Sequence, residues 1–368
     1  MKILVTGVAG FIGFHLAKAL IHNKKNIVGI DNINDYYDVK LKKSRLSKLQ
    51  EIGLVFYKID ISKKNIIGID NTNDYYDVNL KKSRLLKLKE KGLIFHKIDI
   101  SKKNILEKFL LNEKFDVIIH LAAQAGVRFS IENPQAYIDS NITGFFNILE
   151  GSRHQNIKHL IYASSSSVYG GNASPPFEEK QSVETPQNLY AASKKSNELM
   201  SYSYSHLFKI PCTGLRFFTV YGPWGRPDMA YFKFVKNILE DKPIEIYGHG
   251  KMYRDFTYID DIITGILKLL EKGGPKGALN NEKNNTPWEI FNIGNNKVVS
   301  LDKFIEVIEK AIGKKAIKKY VDMQLGDMYL TSANIEKIKS HINFKPKTSI
   351  EKGLPMFVDW YKEFYNKD

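Results

Sequence analysis

One cysteine, Cys212, is all the thiol this chain of 368 residues has, so no internal disulfide can form. A lone thiol suits a reducing compartment. No run of 18 apolar residues occurs, which argues against a helical membrane span. The opening "MKILVTGVAGFIG" has one lysine, an apolar stretch broken by glycine, and no small-residue cleavage site after it, so it makes a poor secretion signal. These absences predict a cytoplasmic protein with no membrane partner. Acidic residues are also in deficit, with 55 Lys and Arg against 40 Asp and Glu, a net +15. The excess is spread along the chain, and 7 of the 15 charges come from one duplicated segment. That is a general compositional bias, rich in Ile and Asn too, and no nucleic-acid partner is expected from it. A mildly basic surface would still help to gather an anionic substrate. What remains, 43% hydrophobic and 26% charged, describes a globular chain that can bury a large core as one large or two modest domains.

The duplication is explicit. "NIVGIDNINDYYDVKLKKSRLSKLQEIGLVFYKIDISKK" (26–64) is followed by "NIIGIDNTNDYYDVNLKKSRLLKLKEKGLIFHKIDISKK" (65–103), identical at 31 of 39 positions. A solenoid needs at least three stacked units, and there is no third copy. Each copy reads as strand (27–31 in the first), polar loop and basic helix (34–51), then strand (54–60). One such unit is an ordinary second-to-third-strand segment of an α/β sheet.

The flanks support that sheet. "KILVTG" is a short β-rich run, and "FIGFHLAKALIHN" has apolar residues at helical spacing. Between them stand Gly7, Gly10 and Gly13, one residue longer in the first gap than the common dinucleotide fingerprint. Glycines there permit a tight turn and close approach of a pyrophosphate to the helix N-terminus. The next strand ends in Asp31, where an acid can accept hydrogen bonds from an adenosine ribose and repel a 2′-phosphate, favouring NAD over NADP. "FDVIIHLAA" (115–123) reads as a buried strand, "SIENPQAYIDSNITGFFNILEGSRHQ" as a long helix, and "HLIYASSSSVYG" as another strand. Alternation of this kind predicts a doubly wound parallel sheet of the Rossmann type.

Chemistry concentrates in "YASSSSVYG" and "LYAASKKSNELMSYSYSHL". Tyr190 and Lys194 are four apart on a predicted helix and share a face. A nearby ammonium would stabilise tyrosinate and lower its pKa. Ser165 ends the preceding strand, where such sheets bind ligands. Tyr-x-x-x-Lys alone says little, since Tyr36/Lys40 and Tyr247/Lys251 also fit it. Only Tyr190/Lys194 adds a helical pattern, an upstream serine cluster and a glycine fingerprint.

Together with "HLAAQAGVR", "LRFFTVYGPWGRPDMA", "RDFTYIDD" and "NIGNN", these stretches resemble the extended short-chain dehydrogenase/reductase family of nucleotide-sugar enzymes, in its UDP-glucuronate 4-epimerase branch, over nearly the whole chain. The resemblance implies an NAD-binding domain over 1–219 and a smaller UDP-sugar-binding α/β domain over 220–368, some segments of which return to the first. It implies a homodimer, a UDP-sugar substrate and no metal. Ser165, Tyr190 and Lys194 would be catalytic. Gly7, Gly10, Phe11, Ile12, Gly13, Asp31, Asn32, Asp99, Ile100, Leu121, Ala122, Ala123 and Asn141 would hold NAD with Tyr190 and Lys194. Tyr247 would stack on uracil and Arg254 meet the diphosphate. Arg128, Asp327 and Ser165 would also meet the substrate, with Ser166, Ser167, Thr219 and Arg226 on the sugar carboxylate. The family's "QPGD" stands here as Gln324-Leu325-Gly326-Asp327.

The implied reaction is C4 inversion of UDP-glucuronate to UDP-galacturonate through a transient 4-keto sugar. A UDP-glucuronate decarboxylase, a UDP-glucose 4-epimerase and, from another class, a non-catalytic nucleotide-binding subunit remain alternatives. Between the copies, Asp31 is the expected ribose ligand, because only "HNKK" separates its strand from the first helix. Asp99 is expected near the adenine, with Asp60 its alternative, and the surplus 39 residues are expected to leave at the sheet edge.

Overall fold

The computed structural model describes residues 1–22, 28–30, 55–57, 66–171, 173–276, 285–323 and 328–367. β1 (Ile3–Thr6) is buried throughout and runs into α1 (Phe11–His22) through the glycine turn. β2 (Val28–Ile30) and β3 (Val55–Tyr57), both from the first copy, pair with each other in a separate two-stranded sheet. The second copy builds the main one. β4 (Ile66–Asp70) pairs parallel with β1, Ile3 opposite Ile66, and α2 (Val78–Glu90) leads to β5 (Ile94–Lys97), which pairs with β4. Then follow α3 (Lys103–Glu113), β6 (Val117–His120), two short helices, α4 (Phe129–Glu132) and α5 (Pro134–Tyr137), α6 (Gly144–Gln155), β7 (His159–Ser165), α7 (Leu189–Phe208) and β8 (Cys212–Phe217). The parallel sheet has the order β12-β8-β7-β6-β1-β4-β5, closed at one edge by β12 (Trp288–Ile293).

Side chains along these strands alternate between two cores, as the pleat requires. Ile3 and Val5 pack with α1, whereas Leu4 packs with Leu106 of α3 and Phe145 of α6. The rest of the chain adds α8 (Ala230–Leu239), a three-stranded sheet of β9 (Thr219–Tyr221), β11 (Tyr253–Tyr258) and β13 (Val298–Ser300), and a parallel pair, β10 (Ile244–Tyr247) with β14 (Lys318–Val321). Near its end, α9 (Ile350–Tyr365) brings Trp360 against Trp224, which also touches Phe14 of α1. No described helix is long and apolar enough to cross a membrane.

Two expectations change. The predicted long helix over 130–155 is broken: Pro134 starts a new turn capped by Asn133, a π-helical stretch covers Ile138–Thr143, and only then does α6 begin. Proline has no N–H for the helix ladder, so it begins a helix rather than continuing one. The surplus residues also leave elsewhere, before β4 and not at the edge strand. β4, α2 and β5 come from the copy next to α3 as one unit with short turns, and β5 leads directly into α3. Lengthening the α1–β4 connection instead costs only about 0.6 kcal/mol per doubling of a loop.

Candidate active site

Above the C-terminal ends of β1, β4, β6 and β7 lies one cavity of about 990 Å³, into which residues of β9, β10 and β11 also open. At one end is the glycine turn. Gly7 has φ +70°, and a Cβ there would stand 2.7 Å from the Ala122 nitrogen. A Cβ on Gly13 would stand 2.2 Å from the Gly7 carbonyl oxygen. The turn therefore folds back on α1 and against Leu121 and Ala122, whose N–H groups donate to Thr6 Oγ1 at 3.1 and 3.0 Å. Phe11, Ile12 and Ala123 also line this wall.

The acid beside this turn is Asp70, the second copy's counterpart of Asp31. Its carboxylate accepts from Thr72 N at 2.6 Å and Ala9 N at 3.3 Å, and burial raises its pKa. Asp70 and Asn71 occupy the places expected of Asp31 and Asn32, which lie, like Asp60, outside the described residues. The two copies are identical at these positions, so the strand pairing chooses, and it chooses the copy next to β5.

Ile100 lines the cavity together with Ile98, but Asp99 between them does not. Asp99 instead accepts from Ser101 N at 2.9 Å and Oγ at 2.7 Å, and from Asn71 Nδ2 at 3.3 Å, shaping the turn into α3. Asn141 is likewise behind the wall. Its amide accepts from Gln124 N at 2.8 Å and donates to Gln124 O and Ser193 Oγ, both at 2.9 Å, bracing α7 against the β6 loop.

At the other end of the cavity Ser165, Tyr190 and Lys194 converge. Asn188 caps α7 by accepting from Ala191 N at 2.9 Å, which places Tyr190 in the first turn and Lys194 one turn on. Lys194 is buried, donates to the Ala163 carbonyl at 2.8 Å, and is pushed down to about 8 by burial. Tyr190 keeps a face on the cavity. Burial raises its pKa, opposed by hydrogen bonding from Ser165 and by the Arg226 charge. Lys194, whose ammonium donates to the Ala163 carbonyl, is not among these influences. Ser165 Oγ accepts from Ser167 N at 3.2 Å, so the serine run forms a tight turn with Ser166 and Ser167 on the wall.

Thr219 and Arg226 face the same region. Arg226 is paired with Asp228, Nε to Oδ1 at 3.0 Å, and Tyr75 OH donates to Asp228 Oδ2 at 3.3 Å. Neither Asp228 nor Tyr75 was expected from the sequence. The pairing spans 153 residues, and Tyr75 sits in the repeat, where "NDYYD" occurs twice. The only local signal is Arg-Pro-Asp, which sets two opposite charges two residues apart. Farther out, the Arg128 guanidinium lies 4.6 Å from the centre of the Tyr247 ring, and Arg254 donates to the Tyr253 and Tyr329 carbonyls at 3.0 and 3.2 Å. Asp327 lies outside the described residues.

These residues fit a dinucleotide. The turn leaves room only where side chains are absent, an acid stands at the β4 end, and one continuous wall runs from Asp70 to Tyr190. Comparison with known proteins agrees. A 4-epimerase of UDP-glucuronate from Thermodesulfobacterium geofontis is 42% identical, covering 98% of this chain and 96% of its own. "Protein CapI" of Staphylococcus aureus is 48% identical over the full length of both. The crystal structure of UDP-glucuronic acid 4-epimerase from Bacillus cereus, in complex with UDP-glucuronic acid and NAD, superposes with a TM-score of 0.80 at 34% identity, over 99% of this chain and all of that one. The model of the NAD dependent epimerase/dehydratase family matches residues 3–294, and the chain belongs to that family.

Proposed function

We propose that this enzyme interconverts UDP-glucuronate and UDP-galacturonate by inverting C4. The observation that carries the reading is the meeting of Ser165, Tyr190 and Lys194 with Arg226 in one cavity that also holds a dinucleotide cradle. The glycine turn would take the pyrophosphate, Asp70 and Asn71 the adenosine ribose, Ile98 and Ile100 the adenine, and Lys194 the nicotinamide ribose. NAD, when bound, supplies a hydride acceptor for C4 and returns the hydride, so no net redox change results.

The protein's own part is proton handling and restraint. Tyr190 Oη takes the proton of the 4-hydroxyl and gives one back after the sugar has turned over. Ser165 bonds O4, and with Arg226 it offsets the burial that disfavours the phenolate. Tyr247, Arg254 and Arg128 hold the UDP moiety. Arg226, Thr219, Ser166 and Ser167 hold the carboxylate, the bidentate geometry of arginine suiting that group. In this reading residues 1–219 carry the cofactor, and 220–368 close over the sugar nucleotide. We place the enzyme in the cytoplasm as a homodimer, for which exposed Phe146, Leu199 and Leu207 on α6 and α7 offer an apolar face.

The test is incubation with UDP-glucuronate and identification of the product by NMR. UDP-galacturonate is expected. UDP-xylose as the main product, or unchanged substrate, overturns the assignment.

A further inference from the structure

Arg226 is restrained twice. Its backbone loop is tied down by Arg84, fully buried in α2, whose Nη2 donates to the Gly225 carbonyl at 2.9 Å and to the Trp224 carbonyl, while Nη1 reaches the Ala9 carbonyl at 2.8 Å. Its side chain is held by Asp228, which accepts from Nε at 3.0 Å and Nη2 at 2.5 Å. A guanidinium presents two edges to carboxylates. Asp228 takes the Nε/Nη2 edge of Arg226, which lines the cavity. Tyr75 donates to Asp228 Oδ2 and also interacts with the Arg226 guanidinium, so it braces the pair from one side.

Such restraint has a chemical use, resting on the reading of the substrate as a uronate. A 4-keto-uronate loses CO2 when its C5–carboxylate bond lines up with the carbonyl π-system. That bond then breaks, its electron pair passes to the C4 oxygen as an enolate, and C5 takes up a proton from water. A small rotation of the carboxylate is enough, so the group holding it must not rotate.

We propose that Asp228, seated by Tyr75, is a positioning residue that fixes the rotation of Arg226 and so keeps the substrate carboxylate out of line with the C4 carbonyl. The site would then owe its choice of product to a pair that never touches the reacting atoms.

The experiment compares wild type, Asp228→Asn and Tyr75→Phe on UDP-glucuronate. It reads the ratio of pentose to UDP-galacturonate by NMR, and the affinities for UDP-glucuronate and UDP-glucose by calorimetry. Asp228→Asn should raise the pentose ratio about tenfold, the scale of one charge-assisted hydrogen bond lost. Tyr75→Phe should move it the same way by about threefold, since a single neutral donor is removed, and it keeps the test alive if Asp228→Asn fails to fold. UDP-glucose affinity should be unchanged in both. An unchanged ratio in soluble, active variants overturns the proposal. So does a tighter affinity for UDP-glucuronate at constant ratio, which would make Asp228 a stand-in that the substrate displaces. A wild-type enzyme that yields no UDP-galacturonate would instead sink the functional reading, and the proposal with it.

Discussion

Tyr190 and Lys194 sit one helical turn apart, and burial pushes their pKa values in opposite directions, up for the phenol and down to about 8 for the ammonium. Both shifts favour the neutral form, so Tyr190 is a base whose charged form burial opposes. Tyr190→Phe removes that base and should cut turnover by about 10²–10⁴-fold, the usual worth of a positioned acid–base group. Bound NAD, read by absorbance, should persist. Lys194 has a stability signature as well. Its folded pKa lies below the usual 10.5 of lysine, so below pH 8 the folded state carries a buried charge at full cost. That cost fades as pH rises from 8 towards 10.5, and it amounts to about 3 kcal/mol at most. Lys194→Met should therefore raise the melting temperature of the NAD-free protein at pH 7 while abolishing turnover. The gain should shrink by pH 10, and a gain independent of pH would show that the charge is not its cause. Arg226→Ala should weaken UDP-glucuronate by about 2–5 kcal/mol and UDP-glucose far less. Part of that loss comes from Asp228, left unpaired and repelling the carboxylate. Equal losses for both sugars in calorimetry would remove Arg226 from carboxylate recognition.

Elements were legible where the signal is local. The glycine turn, β7 and the Tyr190/Lys194 face of α7 all depend on neighbours within a few residues, and the sequence locates each of them. Contacts across long separations left no such trace. Arg84 binds carbonyls 75, 140 and 141 residues away, and in sequence it is one more cation on a basic helix. Asp99 shows a related ambiguity. A strand-end acid suits a ligand or a turn equally well, and here its carboxylate accepts from Ser101 two residues on. The glycine turn offers a sharp test at this scale. A Cβ on Gly13 would lie 2.2 Å from the Gly7 carbonyl oxygen, a backbone atom that cannot swing aside. Gly13→Ala should thus open the turn and abolish copurification of NAD, even where circular dichroism shows an intact fold. Retention of NAD at the wild-type level would mean that α1 can shift without loss of the cradle.

Across the whole molecule, the choice between copies could not be read from the chain, because 31 of 39 positions are the same in both. Asp31 and Asp70, Tyr36 and Tyr75, and Arg45 and Arg84 are all matched pairs. Among the described residues, the seven-stranded sheet and the cavity draw on the second copy and not the first: Asp70, Tyr75, Lys81 and Arg84 all come from it. Deletion of 26–64 joins Lys25 to Asn65 and removes none of these residues. Such a chain should fold, keep NAD and epimerise at the wild-type rate. Deletion of 65–103 joins Lys64 to Asn104 and forces the first copy into the sheet. There Val28 would replace Ile67, which is 2% exposed, and Val55 would replace the partly buried Ile94. Each Ile-to-Val change in a core costs about 0.5–1.5 kcal/mol. The two deletion proteins should then share an active site, Asp31, Tyr36 and Arg45 taking over from their counterparts. The second should melt earlier, by about 1–3 kcal/mol in urea unfolding on that same scale. Loss of activity in the 26–64 deletion would show that the first copy has acquired a role beyond the sheet. Equal stability of the two would show that the methyl groups distinguishing the copies are not felt in the core.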